Sequence, residues 1–127
     1  MINHSHVMTD EIQPAFRVHI LSQTQKAISK MPLSLQEKIY FDLDDLAVYG
    51  NELQEPKVRD LGDSLKELRT TAQNGIARSF FFFHIGKQIY VIHAIQKKTQ
   101  KTPKQDLDLA KQRMKQLKLQ LNQQTQE

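Results

Sequence analysis

Three short runs follow one another in the second half of the chain, the second and third rich in phenylalanine, isoleucine or valine: LKELRT from Leu65, IARSFFFF from Ile76 and QIYVIHAI from Gln88. TAQNG and HIGK stand between them, and both carry turn chemistry. The sequence therefore predicts three consecutive antiparallel strands. Upstream, FRVHIL (Phe16 to Leu21) alternates apolar and polar residues and reads as a first strand. Ser22 offers an N-cap for a helix to about Lys30, which Pro32 closes. Ser34 opens a second helix, in which Leu35, Ile39, Leu43, Leu46 and Ala47 fall near helical spacing before Gly50 stops it. After Pro103, Leu107, Ala110, Met114, Leu117 and Leu121 recur every three to four residues and predict a C-terminal helix. The order is β-α-α-β-β-β-α, an α+β fold with a small, mostly antiparallel sheet and helices packed on one face. Its expected extent is residues 15–121, with a flexible N-terminus over 1–14 and a disordered glutamine-rich tail over 122–127.

A chain of 127 residues fits one domain with a modest core. It has no cysteine, so disulfides and thiolate chemistry are excluded, which suits a reducing compartment and makes the cytoplasm the expected location. The first fifteen residues lack a basic start followed by an apolar run, and no apolar stretch nears the roughly 18 residues that span a bilayer. Neither a signal peptide nor membrane attachment is expected. No His, Asp and Glu spacing suggests a metal, and no Ser/His/Asp set or phosphate-loop glycine pattern occurs, so no metal or cofactor is expected.

Charge is uneven along the chain. Residues 1–56 carry four bases and eight acids, whereas residues 57–104 carry ten bases and three acids. Positive potential concentrated in the second half suits an anionic partner, although a solvated surface gives the same count. The densest part is Lys97, Lys98, Lys101 and Lys104, four lysines in eight residues at the end of the last strand.

Strict alternation places Ile89, Val91, His93 and Ile95 on one face of that strand and Tyr90, Ile92 and Ala94 on the other. In the preceding strand Ile76, Arg78, Phe80 and Phe82 share a face. The four-phenylalanine run reads first as core packing beneath helices, including the C-terminal one; base stacking is the minor alternative. Arg69 and Arg78 flank the turn around Asn74 and Gly75, and each needs an acid, a carbonyl or a ligand. For Arg69 the structural candidate is Glu67, two residues earlier. His93 reads first as a core histidine bonded to backbone, and second as an acid or base.

These residues carry a resemblance. PKVRDLGDSLKELR, NGIARSFFFF and IHAIQKKTQKTPKQDLDLAKQR resemble, in order, the patterns of the HigB-like, phage-derived branch of the RelE/ParE toxin superfamily. The match runs from about Leu53 to Arg113, and its specific element is Lys-Lys-Thr-Gln-Lys-Thr-Pro. The resemblance implies a RelE-like fold and the toxin of a type II toxin-antitoxin pair. It further implies an mRNA endoribonuclease acting on transcripts in the ribosome, with a helix-turn-helix antitoxin as partner. The family's basic residues match Lys57, Arg69, Arg78 and Lys97 or Lys98.

Metal-free RNA cleavage uses the substrate's 2′-hydroxyl as nucleophile, so the protein must move a proton and stabilise the phosphorane. Arg69 and Arg78 suit the phosphorane, because a guanidinium can hold two phosphate oxygens. Lys97, with Lys98 behind it and His93 as a secondary candidate, suits the proton, since neighbouring cations and partial burial lower a lysine's pKa. Lys57, Lys66, Lys98, Lys101 and Lys104 are assigned to RNA binding. One departure stands out: where relatives often carry a ring before the strand arginine, this chain has Ala77, and Tyr90 alternates away from His93. The alternative from another class is a non-catalytic ParE-like module that inhibits a topoisomerase or another target.

Overall fold

The computed structural model describes residues 13–97 and 100–126. In chain order the elements are β1 (Arg17–Ile20), α1 (Ser22–Ser29), α2 (Leu33–Tyr49), a 3-10 turn (Gly50–Glu52), β2 (Val58–Gly62), β3 (Leu65–Ala72), β4 (Gly75–His84), β5 (Gln88–Lys97) and α3 (Lys104–Gln126). The strands form one sheet in the order β1-β5-β4-β3-β2; β1 runs parallel to β5 and every other pair is antiparallel. The expected meander is β3, β4 and β5.

β2 is the strand that sequence patterning missed. VRDLG buries only Val58, and its polar residues face outward because it lies at the sheet edge. Its pairing with β3 is closed by Asp63 and Ser64, both at positive φ (55° and 76°), as a two-residue hairpin turn requires. The helix starts also fall slightly earlier than expected. Ser22 and Ser34 lie inside α1 and α2 and make no capping bond; instead the amides of Leu35 and Gln36 bond the Pro32 carbonyl. Gly50 ends α2 where no side chain fits: φ is 53°, and a Cβ there would fall 2.1 Å from the Phe16 ring. α3 continues to Gln126, so residues 122–126 carry helical backbone where a disordered tail was expected; glutamine favours helix and no breaker intervenes.

Helices cover both faces of the sheet, which corrects the one-faced packing expected from sequence. On one face, Ile28, Leu35, Ile39, Leu43 and Leu46 of α1 and α2 pack against Leu68, Ala77, Phe81, Ile89 and Val91. On the other, Ala110 and Met114 of α3, flanked by Leu107, Leu117 and Leu121, cover Leu65, Phe80, Phe82 and Ile92. The phenylalanine run explains this: Phe81 points to one layer and Phe80 and Phe82 to the other, all fully buried. Each contributes about 1.5–3 kcal/mol by leaving water, so neither face could stay bare.

β5 carries a bulge that changes its faces. Phe80 pairs with His93 but Phe81 pairs with Val91, leaving Ile92 as the extra residue. Ile89, Val91 and Ala94 therefore face α1 and α2, while Tyr90, Ile92, His93 and Ile95 face the α3 side. Strict alternation had put Tyr90 opposite His93; the bulge puts them on the same face. The same step brings Lys97 onto the face of Arg69 and Arg78, because register now runs Arg69–Arg78–Ile95 and then Thr71–Ile76–Lys97.

Candidate phosphate-binding cleft

The site is built on successive rungs of the α3-side face. The first rung, Arg59–Glu67–Phe80–His93, runs across four strands; the next brings Arg69, Arg78 and Ile95 side by side. Beyond His93 the sheet is covered by the connection leading into α3, and the arginines separate into two environments.

Arg78 is buried, with 4% of its surface exposed. Its Nη1 donates to Glu67 Oε1 at 3.3 Å and to Thr102 Oγ1, and its Nη2 donates to the Gln100 carbonyl. Thr102 Oγ1 in turn donates to Glu67 Oε1 at 2.8 Å. A buried guanidinium needs such pairing. The fork is thereby committed to one carboxylate and to the loop before α3. Glu67, the partner expected for Arg69, serves Arg78 instead, because Glu67 itself is 4% exposed and only the buried arginine meets it there.

Arg69 is exposed. With Arg59, Glu67, Arg78, Lys97, Gln100 and the Glu55–Pro56 turn it lines a cleft of about 280 Å³. Lys97 ends β5 at the cleft's rim, and its Nζ lies 3.3 Å from Gln100 Oε1. Its pKa is lowered from the usual 10.5, first by desolvation at the half-covered strand end, then by Arg78 and Arg69, with Glu67 opposing. A second cleft of about 310 Å³ lies on the other side of Lys97 and Arg78, towards Ile95, Pro103 and Asp106.

The remaining predicted residues divide. His93 is 8% exposed, stacks on Phe80 with centroids 5.6 Å apart, and places Nε2 2.9 Å from Asp106 Oδ1. It is buried, as its sequence context suggested, but its ring nitrogen meets the Asp106 carboxylate of α3 rather than the backbone expected for it. Lys57 holds Asp42, a fully buried carboxylate of α2, at 2.7 Å, with Lys38 at 3.2 Å on the other oxygen. Lys66 pairs with Phe81 in register and so lies on the α1–α2 side, 3.8 Å from Asp60, away from the cleft. Lys104 is the first residue of α3 and pairs with Asp108 at 3.2 Å, while Lys101 lines the second cleft. Lys98 lies outside the described residues.

Sequence reasoning missed Arg59 and the Glu67–Thr102 hydrogen bond. Arg59 entered the site through the unrecognised edge strand, whose sequence VRDLG shows no apolar-polar alternation that would have announced it. Thr102 is joined to Glu67 across 35 residues, a separation no local pattern reports.

Residues 26–115 match the family of phage-derived Gp49-like proteins. The chain belongs to that family. No curated protein matches the sequence. Among solved structures, the Gp49-like chain resembles one in the archaeal RelE-RelB complex from Pyrococcus horikoshii OT3, with a TM-score of 0.51 and 22% identity over 65% of this chain and 94% of that one. The five-stranded, mostly antiparallel sheet with three helices is thus a RelE-like fold. Among the described residues no helix is long and apolar enough to cross a membrane, and no group of three or more His, Cys, Asp or Glu is placed to hold a metal.

Proposed function

We propose that this Gp49-like protein is the toxin of a type II toxin-antitoxin pair, of the HigB-like branch, and that it cleaves mRNA in the ribosome as a metal-independent endoribonuclease. Its antitoxin would carry a helix-turn-helix domain. The observation that carries the reading is Lys97 at the rim of an open cleft, beside exposed Arg69 and the buried Arg78–Glu67 pair. Support comes also from family membership and from the likeness to a structure titled as a RelE-RelB complex.

In this reading Arg69, with Arg59 beside it, receives the scissile phosphate, since a solvent-facing guanidinium can offer its fork to two phosphate oxygens. The neutral amine of Lys97 takes the proton of the 2′-hydroxyl. O2′ then bonds to phosphorus, and the bond from phosphorus to O5′ breaks. The ammonium just formed returns its proton to the departing O5′, leaving a 2′,3′-cyclic phosphate and a 5′-hydroxyl. Arg69 offsets the phosphorane's charge. Arg78 acts as a positioning residue, because its donors already hold Glu67, Thr102 and Gln100. Its charge lowers the Lys97 pKa while its bonds fix the loop.

Induced expression tests the proposal. The expected result is growth arrest with new 5′ ends in ribosome-associated transcripts, abolished by Lys97→Gln. Arrest with intact mRNA and damaged DNA would overturn it in favour of a topoisomerase inhibitor.

A further inference from the structure

The second cleft has a chemistry that phosphate binding does not use. It measures about 310 Å³, at the low end of the roughly 300–1,000 Å³ typical of small-molecule sites. Ile95 and Pro103 give it apolar walls, Asp106 gives it a carboxylate, and Lys97 and Arg78 separate it from the phosphate cleft. A flat apolar-faced group with hydrogen-bond donors on its edge, attached to a phosphate, fits that combination.

We propose that this cleft is a nucleobase subsite, selecting a base with an exocyclic amino group beside the phosphate at Lys97. The inference rests on the RNA-cleaving reading above and deepens it.

Asp106 is held for such a role by its neighbours. Arg113 Nη1 donates to the Ile92 carbonyl at 2.9 Å and stands 3.4 Å from His93 Nδ1. A guanidinium has donors only, so Nδ1 is the acceptor of that pair and the ring proton sits on Nε2. Nε2–H therefore donates to Asp106 Oδ1 at 2.9 Å. His93 itself cannot rotate freely, because it stacks on Phe80 and is nearly covered. The carboxylate is fixed at the start of α3, where the Asp106 amide bonds the Pro103 carbonyl and negative charge is favoured.

One imidazole hydrogen bond leaves a carboxylate with further acceptor sites. Cytosine presents N4–H₂, and a carboxylate accepting from that group is a recognised base contact. Uracil presents a carbonyl at the same place and sets oxygen against oxygen. Stacking against Ile95 and Pro103 is indifferent to the base; the Asp106 hydrogen bond is not.

The experiment is a titration of purified, isotope-labelled protein with cytidine 5′-monophosphate and with uridine 5′-monophosphate, following the Ile95 methyl groups and the Asp106 amide. Cytidine monophosphate is expected to shift both signals and to bind about tenfold more tightly, the discrimination of one good base-edge contact. Asp106→Asn should bring the two nucleotides within about threefold, since an amide offers both donor and acceptor. N4,N4-dimethylcytidine 5′-monophosphate, which lacks the amino donors, should show no preference over the uridine nucleotide on the unaltered protein, so the test survives if the variant misfolds. Equal affinity for the cytidine and uridine nucleotides, or shifts confined to the Arg69 side, would overturn the subsite. A base preference in a protein that leaves mRNA intact would support the subsite and overturn the RNA-cleaving reading; mRNA cleavage without the preference would do the reverse.

Discussion

Arg69 and Arg78 are direct cross-strand partners on β3 and β4, yet one is exposed and the other is 4% exposed. Like charges directly opposite each other destabilise a sheet. Glu67, one rung away, resolves the conflict by pairing with Arg78. The two arginines are thus chemically alike and structurally unequal.

Their substitutions should separate accordingly. Arg78→Ala leaves Glu67 buried without its cation and should cost about 3–5 kcal/mol of stability. Arg78→Lys should recover little, because an ammonium cannot reproduce the fork to Glu67, Thr102 and Gln100. Arg69→Ala should change stability by less than about 0.5 kcal/mol, as exposed substitutions do. Its cleavage rate should fall on the order of a hundredfold, the typical effect of removing one charge-stabilising donor. Urea denaturation beside a cleavage assay checks both; equal instability in the two variants would remove Arg69 from the phosphate site.

This inequality also marks how far the sequence could be read. The meander, the helical hairpin and the final helix followed from periodicity and turn residues, because those signals are local. The separate fates of Arg69 and Arg78 depend on hydrogen bonds with Gln100 and Thr102, more than twenty residues downstream of Arg78. The bulge at Ile92 was equally hidden: a run of Val, Ile, His, Ala and Ile has no residue that announces an extra position, yet it decides which face His93 and Lys97 share. Lys57 and Lys66 looked like RNA-binding residues because charge is visible in sequence while the facing acid, Asp42 or Asp60, is not.

Lys57 gives a direct check of that last point. Asp42 is fully buried, and Lys57 is its nearer cation. Lys57→Met should destabilise the fold by on the order of 3 kcal/mol, since it removes one partner of a buried charge. Adding Asp42→Asn should restore part of that stability, because the charge itself is then gone. Denaturation midpoints of the two single variants and the double variant give the coupling. A Lys57→Met protein of unchanged stability but weaker RNA association would return this lysine to the binding surface.

The lysines nearer the helix should bind RNA rather than act as reagents. Lys101 lines the second cleft and Lys104 begins α3, beyond the strand end that carries Lys97. Replacing both with Gln should weaken association and flatten its salt dependence, the slope falling by about 0.7 for each single-strand phosphate that is no longer neutralised. Single-turnover cleavage at saturation should stay nearly unchanged. A steep fall in that saturated rate would place one of them in the chemistry.

Lys97 supplies the pH test. Its pKa in the folded protein lies below its usual 10.5, so between those two values the unfolded chain binds more protons than the native one. The lysine therefore opposes folding most below its folded pKa, and that opposition disappears as pH rises towards 10.5. Lys97→Gln should accordingly stabilise the protein at neutral pH, with the gain shrinking at alkaline pH. Activity should run the same way for a different reason, because in the proposed reaction only the neutral amine can accept the 2′-hydroxyl proton: the rate should climb with pH and level off above the folded pKa. Arg69→Gln removes one of the cations that depress it, so the surviving activity should have its rise displaced to higher pH, and the Lys97 side-chain resonance followed by NMR should titrate later by the same interval. Lys97→Arg keeps the charge but cannot give up a proton near neutrality, so it should not restore cleavage. A fully active Lys97→Arg protein with an unchanged pH profile would remove the proton-transfer role and leave Lys97 as a purely electrostatic group in the cleft.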